Sequence, residues 1–287
     1  MPPVLVLARL TVLEASRRRL LLALAVLTLV VIAFTGWGFS KIMGIRGEGS
    51  VPISDVEAKL IASQLLTLVM FMFSAVLALT AVLVASPSIS AETENGIMLA
   101  VLARPLRRAE VVLGKGLGHV AVVVVYAATG IALELLAVRL AIGYTPPHPV
   151  YLFLFLAAEA TIMVALAVGL STRLSGMTGG VMALGAYFAT WLGGVVGAIG
   201  AAFQNQAIED VGSASRLLLP ADGLWRGALW SLEPTTVLAA AQQAGRDASA
   251  NPFFAGAPPP WQYCVWCGFW LLVVVGVSLW SFARREI

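Results

Sequence analysis

Six long apolar runs divide the chain, and shorter segments with polar or charged residues separate them. Each run has about the 20 residues that an α-helix needs to cross the hydrocarbon core of a bilayer. None alternates apolar and polar residues with a period of two, as barrel strands do, and helices satisfy their own backbone polar groups. We predict an all-α polytopic membrane protein, a single transmembrane domain over residues 1–287, with spans at Leu20–Phe39, Leu60–Ala85, Gly116–Ile142, Val150–Leu170, Gly179–Phe203 and Trp261–Phe282.

The composition agrees with a membrane as the solvent. Hydrophobic residues make up 60% of the 287 residues and charged residues 11%, with a mean hydropathy of +0.92. Soluble domains carry about 25% charged residues, so a soluble globule is excluded. The net charge is only +3 and no basic arm is interleaved with aromatic residues, which argues against nucleic acid and for membrane lipids as the surroundings. The first run exceeds the roughly 7–15 apolar residues of a signal peptide, so we expect a retained span.

The distribution of Lys and Arg predicts the orientation. Cytoplasmic loops carry an excess of these residues, and six spans place both termini on one side. That side holds eleven of the eighteen, six lie on the other side, and Arg139 lies within a span. We therefore expect a multi-pass protein of the cell membrane with cytoplasmic termini. The eleven are Arg9, Arg17, Arg18, Arg19, Arg104, Arg107, Arg108, Lys115, Arg173, Arg284 and Arg285.

Pro2–Ser16 precedes the first span and has a weak amphipathic pattern. Arg9 and Glu14 lie away from its apolar residues, an arrangement that suits a short helix in the membrane interface. A disordered tail also fits. The apolar positions are Val4, Leu7, Ala8, Leu10 and Leu13.

Glycine is frequent in the run Gly176–Gly200, and small residues recur at a spacing of four at Gly193, Gly197 and Ala201. Such a ridge lets membrane helices approach closely. Two interpretations fit: packing within one helix bundle, or contact with a second subunit.

The outer loop of residues 204–260 is too long to be only a connection. Its apolar residues recur with the period of one helical face, and Asp222 and Pro234 are candidates for the N-cap and the stop of that helix. Trp225 and Trp230 suit the headgroup level. The positions of the face are Leu224, Trp225, Ala228, Leu229 and Leu232.

The segment Ser86–Lys115 is the long polar stretch between two spans that also carries clustered Arg residues. Ser86-Pro87 resembles a helix start, with Ser as the N-cap and Pro in the first turn. Arg104-Pro105 is expected to end that helix. A solvated loop with topology-setting charges explains the Arg residues, but it does not explain roughly 15 residues of patterned helix. The apolar stripe is Ile89, Ile97, Leu99, Val101 and Leu102.

This segment resembles the cytosolic coupling region of ATP-binding-cassette permeases of the type 2 exporter family. That family includes the nitrous-oxide-reductase maturation permease and bacterial multidrug exporter permeases. Its pattern is an acidic pair, a Gly, a Leu-rich turn, a Pro followed by Arg, and a Gly-Lys that opens the third span. Ile97 and Met98 depart from the Thr and acidic residue that the family often has after the Gly. The matching positions are Glu92, Glu94, Gly96, Leu102, Arg104-Pro105, Arg108 and Gly114-Lys115.

The resemblance implies a six-span permease that works as a pair, as a homodimer or a related heterodimer, with two nucleotide-binding ATPase subunits on the cytosolic face. ATP and Mg²⁺ would bind to those partners, and this chain would bind no cofactor and would have no enzyme activity. The implied docking residues of the coupling helix are Ser88, Ala91, Glu92, Thr93, Glu94, Gly96, Ile97 and Leu102. The residues implied for the turn and the topology are Arg104, Pro105, Arg108 and Lys115.

The motifs that the sequence lacks support this division of labour. No G-x-x-x-x-G-K-[ST] is present, and Gly114-Lys115-Gly116 opens a span instead of following a strand. There is also no H-E-x-x-H or G-x-S-x-G motif. We expect no metal site, no catalytic residue, and no redox role for Cys264 and Cys267. Two alternatives without a separate ATPase stay open, namely a secondary transporter and an intramembrane enzyme.

Three charged residues lie inside predicted spans: Glu134, Arg139 and Glu159. A charge at the centre of a bilayer costs on the order of 2.5–3.5 kcal/mol, so such groups face protein or water. At 1.5 Å per residue, Glu134 and Glu159 are each expected about 12–14 Å from the outer ends of adjacent spans. They either hold the two helices together or line a translocation route for a cationic or polar substrate.

Overall fold

The computed structural model describes residues 2–42, 54–103, 106–244 and 251–285, and it is built of α-helices. No strand occurs in these ranges. Predicted positions that fall outside them include Arg104 and Pro105. The helices are α1 (Pro3–Ser16), α2 (Arg19–Ile42), α3 (Asp55–Ala85), α4 (Ser90–Glu94), α5 (Ile97–Leu102), α6 (Arg108–Ile142), α7 (Pro149–Ser171), α8 (Gly176–Ala202), α9 (Gln206–Leu218), α10 (Ala221–Leu232), α11 (Thr235–Ala244) and α12 (Trp261–Ala283).

Six of these helices are long and apolar enough to cross a membrane, namely α2, α3, α6, α7, α8 and α12. The predicted all-α architecture with six spans is therefore confirmed. Helices α3 and α7 form the centre, since 56% of the apolar window in each is buried, against 11% in α2 and 22% in α12. Helix α6 begins at Arg108, eight residues before the predicted Gly116, so Gly114 and Lys115 belong to the helix.

The N-terminal helix α1 packs closely on α6. A Cβ at Gly114 would lie 2.5 Å from Cβ of Leu7, and a Cβ at Gly118 would lie 2.6 Å from Cβ of Thr11. Two glycines one turn apart thus open a groove on α6 that receives α1. The segment Pro2–Ser16 is therefore not a disordered tail, because Pro3–Ser16 forms a helix that packs on α6. Its position in the membrane interface stays a prediction.

The glycine ridge of α8 packs against α9 of the same chain. A Cβ at Gly197 would lie 2.7 Å from Cα of Gly212, and one at Gly200 would lie 2.5 Å from the backbone nitrogen of Glu209. At Gly193, a Cβ would lie 2.5 Å from Oγ of Ser215. Of the two interpretations, packing within one bundle is therefore confirmed at Gly193 and Gly197 of the predicted ridge. The contact produces a helical hairpin that the outer-loop pattern did not reveal.

Helix α10 follows that hairpin and is buried against α7 and α8. Its predicted apolar face is confirmed, because all five side chains are at most 3% exposed: Leu224, Trp225, Ala228, Leu229 and Leu232. Two details differ from the prediction. Pro220 and not Asp222 occupies the N-cap, and Trp225 packs on Phe71, with ring centroids 5.5 Å apart, instead of facing lipid headgroups.

The buried carboxylate of Asp222 has an electrostatic role instead. Its Oδ2 atom lies 2.8 Å from Nε of Arg216 and 3.7 Å from Nε of Arg226. Both guanidinium groups also approach the backbone oxygen of Gly194, at 3.5 and 3.4 Å. One carboxylate therefore joins the end of α9 to α10 and to the middle of α8.

Side-chain bonds tie three spans together at one end of the bundle, which we call the Arg108 end. Arg108 donates to the carbonyl oxygens of Phe282 and Ala283, each at 3.2 Å, and to that of Arg285 at 2.5 Å. Arg285 donates to the carbonyl oxygen of Thr172 at 2.7 Å. The last carbonyls of α12 thus receive cationic donors, as helix C-termini favour. Because α1 packs near the start of α6, both ends of the described chain lie at the Arg108 end.

Candidate functional site

Residues 86–103, which we call the connecting segment, lie between α3 and α6 in the chain, at the Arg108 end. The segment is not one helix that begins at Ser86. Ser86 closes α3 by donating its N–H to the carbonyl oxygen of Val82, and α4 begins only at Ser90. Helix α4 ends at Glu94, and Gly96 adopts φ +70°, a conformation that suits glycine, before α5 begins. The expected single coupling helix is therefore two short helices at an angle.

One side of the connecting segment is anchored in the bundle. Ile89, Ser90 and Met98 are fully buried, and Ser88 is 3% exposed. The start of α8 supports this side, since a Cβ at Gly176 would lie 3.0 Å from Cα of Pro87. Ser88 and Met98 thus contact the bundle and not the surroundings.

The opposite side of the segment is open. Glu94, Asn95 and Gly96 are exposed, and the apolar side chains of Ile97 and Leu99 are 51% and 57% exposed. Ala91, Glu92 and Thr93 are half-buried between the two sides, and the side chain of Leu102 lies outside the described residues. An acidic residue, a glycine turn and two apolar side chains form a small protruding surface at the Arg108 end.

An ion pair fixes the segment to α6. Nζ of Lys115 lies 2.5 Å from Oε1 of Glu92, and the Lys115 side chain is 7% exposed against 22% for Glu92. The two residues are 23 positions apart along the chain, Glu92 on α4 and Lys115 on α6. Lys115 therefore makes a tertiary contact in addition to any effect on topology, and Glu92 presents less free carboxylate to a partner than the sequence suggests.

His119 makes a second link to the same place. Its Nε2 atom lies 2.9 Å from the carbonyl oxygen of Val84, in the last turn of α3, and its Nδ1 atom lies 3.0 Å from the carbonyl oxygen of Lys115. The sequence offered no partner for this residue, because both partners are backbone atoms. The start of α6 is thus bonded both to α4, through Lys115, and to the end of α3, through His119.

Glu134 lies in a cavity of about 100 Å³ between α2, α3 and α6. The residue is 2% exposed, and its Oε1 atom has no hydrogen-bond partner in the described part of the chain. Thr35 of α2 is a polar neighbour of the carboxyl group, but it donates its hydroxyl proton to the carbonyl oxygen of Val31 at 2.9 Å. The other lining side chains are almost all apolar.

Glu159 lies in a different space between helices and has partners. Ser74 of α3 approaches its two carboxyl oxygens at 2.9 and 3.0 Å, and Tyr187 of α8 lies 3.1 Å from the same Ser74 hydroxyl. Phe73, next to Ser74, borders the Glu134 cavity. The similar depth of the two carboxyls in the membrane stays a prediction. They do not form one cluster, and Arg139 is exposed without an ion pair to either of them.

The described residues contain no group of three or more His, Cys, Asp and Glu side chains that is close enough to hold a metal ion. Cys264 is exposed and Cys267 is buried, and both are free thiols.

Comparisons with known proteins agree with this arrangement. Residues 6–287 match the protein family described as ABC-2 family transporter protein. A curated relative, the probable ABC transporter permease protein NosY of Pseudomonas aeruginosa, is 32% identical over 119 residues, which are 42% of this chain and 39% of the relative. The chain thus aligns with well under half of that relative's length. Since the family match covers nearly the whole chain, this protein belongs to the ABC-2 transporter family and is a multi-pass membrane permease component of an ABC transporter.

Proposed function

We propose that this chain is the membrane-spanning subunit of an exporter that uses ATP hydrolysed by a separate nucleotide-binding subunit. The observation that carries the proposal is the connecting segment: anchored on one side through Ile89 and Met98, and exposed on the other from Glu94 to Leu99. A solvated loop without a partner has no need for this buried anchor. The absence of a phosphate-cradling glycine motif from the sequence assigns ATP and Mg²⁺ to the partner.

The exposed surface suits a cleft in a partner protein. Ile97 and Leu99 would enter an apolar pocket, while Glu94 would meet a basic or amide group at its rim. Buried apolar anchors with a polar rim are the usual arrangement of such interfaces. The remaining residues of the segment are assigned to holding this surface in place or to bordering it: Ser88, Ala91, Glu92, Thr93 and Leu102.

Movement of the partner would reach the spans through two contacts. The Glu92–Lys115 ion pair connects the segment to α6, and the His119–Val84 bond connects α6 to the end of α3. Closure of a nucleotide-binding subunit against the segment would therefore shift α3 and α6 together. A population shift between two states requires such differential contacts.

The Arg108 end is assigned to the cytoplasm, and a second permease copy is assigned to the complex. The basic residues of the predicted cytoplasmic side support this orientation. Of the charged residues within the spans, Glu134 is the one assigned to a translocation route, because its carboxyl faces a cavity. Arg139 and Glu159 are given a supporting part, since Glu159 already bonds α3.

Affinity purification of the full chain from detergent-solubilised membranes of its source cells tests the proposal. We expect a protein that carries a phosphate-binding glycine motif, labels with azido-ATP and co-purifies in a fixed ratio. The combined change Glu94→Lys and Ile97→Asp should remove it, whereas Trp261→Ala, at the other end of α12, should retain it. A secondary transporter or an intramembrane enzyme would yield no such subunit.

A further inference from the structure

The space around Glu134 has the features of a ligand site. Tyr126, Gly130 and Glu134 follow one another at intervals of four and share a face of α6. Gly130 makes room for the Phe73 ring, since a Cβ there would lie 2.5 Å from Cε2 of that ring. The Phe73 and Tyr126 rings are stacked with centroids 6.0 Å apart. The stacked rings of Phe73 and Tyr126, which we call the Phe73 wall, thus lie beside the buried carboxyl group of Glu134.

The polar groups next to the cavity are already paired, with the exception of the carboxyl group. Thr28 and Tyr126 bond to each other through their hydroxyl groups. The Thr35 hydroxyl donates to Val31 of its own helix. Among the described residues, Oε1 of Glu134 has no hydrogen-bond donor, and a buried carboxylate oxygen without a donor is costly. A ligand that brings a positive charge and N–H donors would supply what this atom lacks.

The cavity opens toward the outside of the bundle. Leu27, Val31 and Met72 line it and are 50%, 42% and 54% exposed. Glu134 lies eight residues before the end of α6, which places it about 12 Å from that end of the span. In a multi-pass membrane protein this opening faces hydrocarbon. A ligand would therefore enter sideways from the bilayer.

Size and chemistry restrict the ligand. A cavity of about 150 Å³ admits a benzene molecule, so about 100 Å³ suits an ammonium group with a few carbons and not a whole drug-sized molecule. An inorganic cation would need several oxygen ligands, which the mostly apolar lining does not offer. A phospholipid headgroup would bring a phosphate to the same lining, at a depth that headgroups do not reach.

We propose that Glu134 and the cavity between α2, α3 and α6 bind the ammonium end of a lipophilic amine whose apolar tail extends through the opening beside Met72 into the bilayer. The carboxylate accepts the ammonium N–H groups, and the Phe73 wall contacts the adjacent carbons. The identification of this amine as cargo rests on the proposed transport function, whereas its binding does not.

Photolabelling of the full chain in phosphatidylcholine nanodiscs tests the proposal. The probe is dodecylamine with a diazirine on its chain, and labelled peptides are mapped by mass spectrometry. We expect labelling of α2 and α3 that dodecylamine suppresses and dodecanol does not. Glu134→Gln should lower the labelling at least about tenfold, because a charge-assisted hydrogen bond is lost.

Two bulky variants separate a blocked site from a damaged protein. Met72→Trp, at the opening, should abolish labelling, while Leu140→Trp, on the exposed surface of α6, should not change it. Equal suppression by dodecanol, or full labelling of the Glu134→Gln protein, would overturn the proposal. The labelling assay contains no ATPase, so its outcome does not depend on the proposed function. If no nucleotide-binding partner were found, the proposed function would be refuted, but the binding of the amine would not.

Discussion

Nζ of Lys115, on α6, lies 2.5 Å from Oε1 of Glu92, on α4 of the connecting segment. The pair is largely buried, and the protruding residues from Glu94 to Leu99 follow it directly. The contact therefore holds the proposed docking surface at a defined position on a membrane-spanning helix.

The Glu92–Lys115 pair should behave as a coupled unit. We expect Glu92→Gln and Lys115→Met each to lower the melting temperature of the purified chain, because each leaves a buried partner without its counter-charge. The double variant should lose less than the sum, with a coupling of about 0.5–3 kcal/mol in a double-mutant cycle. Glu94→Gln, an exposed carboxylate two residues away, serves as the control and should not change the melting temperature. Additive losses would show that the pair does not position the segment.

Contact between α8 and α9 should not tolerate a side chain at Gly197. We expect Gly197→Ala to destabilise the protein by about 1–3 kcal/mol, the usual cost of overpacking, because the new Cβ would meet Cα of Gly212 at 2.7 Å. The backbone of the hairpin would have to move apart. Gly185→Ala in the same helix is the matched control, since a Cβ there would have nothing within 4 Å. Equal melting temperatures for the two variants would contradict the packing.

The Asp222 carboxylate should stabilise the junction of α8, α9 and α10. Asp222→Asn keeps the shape but leaves two Arg side chains without their counter-charge. Arg216 and Arg226 are about a quarter exposed, so water offsets part of the loss, and we expect a cost of about 1–3 kcal/mol. Asp210→Asn, an exposed carboxylate of α9, is the control. Thermal unfolding in detergent measures both, and an unaltered Asp222→Asn protein would refute this role.

Glu233 should make stability depend on pH. Burial raises the pKa of Glu233 from 4.5 to about 7, beside a cavity that Gln64 and Thr67 of α3 also line. The unfolded chain releases this proton at lower pH than the folded chain, so stability falls as pH rises from 4.5 to about 7. We expect Glu233→Gln to remove that fall and to melt at a higher temperature than the unchanged protein at pH 8, with Glu209→Gln as the exposed control. Parallel melting curves across this range would contradict the burial of an ionisable Glu233.

Hydropathy alone predicted the six spans, because the length of an apolar run is a local property of the sequence. The helical face of α10 was equally readable, from Leu224 to Leu232. The α8–α9 hairpin was not, since Gly212 becomes informative only beside Gly197. The predicted helix start at Ser86-Pro87 was wrong, because the same residue types occur at the start of a helix and just after the end of one. The contacts Glu92–Lys115 and His119–Val84 join positions that are distant in the sequence, so no local pattern predicts them. In the second contact, Val84 contributes only its backbone oxygen.

The resemblance to type 2 exporter permeases identified the connecting segment as the candidate docking site. The family match over residues 6–287 then confirmed the family. Within the segment, the sequence did not show which side chains pack against the helix bundle and which are exposed for contact with a partner. Ser88 and Met98 are buried, whereas Ile97 and Leu99 are exposed. The break at Gly96 between α4 and α5 causes this difference in exposure. A pattern based on one straight helix instead placed Ile89 and Ile97 on the same apolar stripe.

Site-specific photo-crosslinking of the intact complex tests the central claim most directly. A benzophenone amino acid replaces Ile97, in the protruding surface, or Trp261, which is 71% exposed at the opposite end of α12. The proposed function predicts an adduct between the Ile97 position and the ATP-labelled subunit, which changes in yield when ATP is added, and none from the Trp261 position. An intact complex with no adduct at Ile97, or with equal adducts at both positions, would contradict docking of an ATPase on this segment.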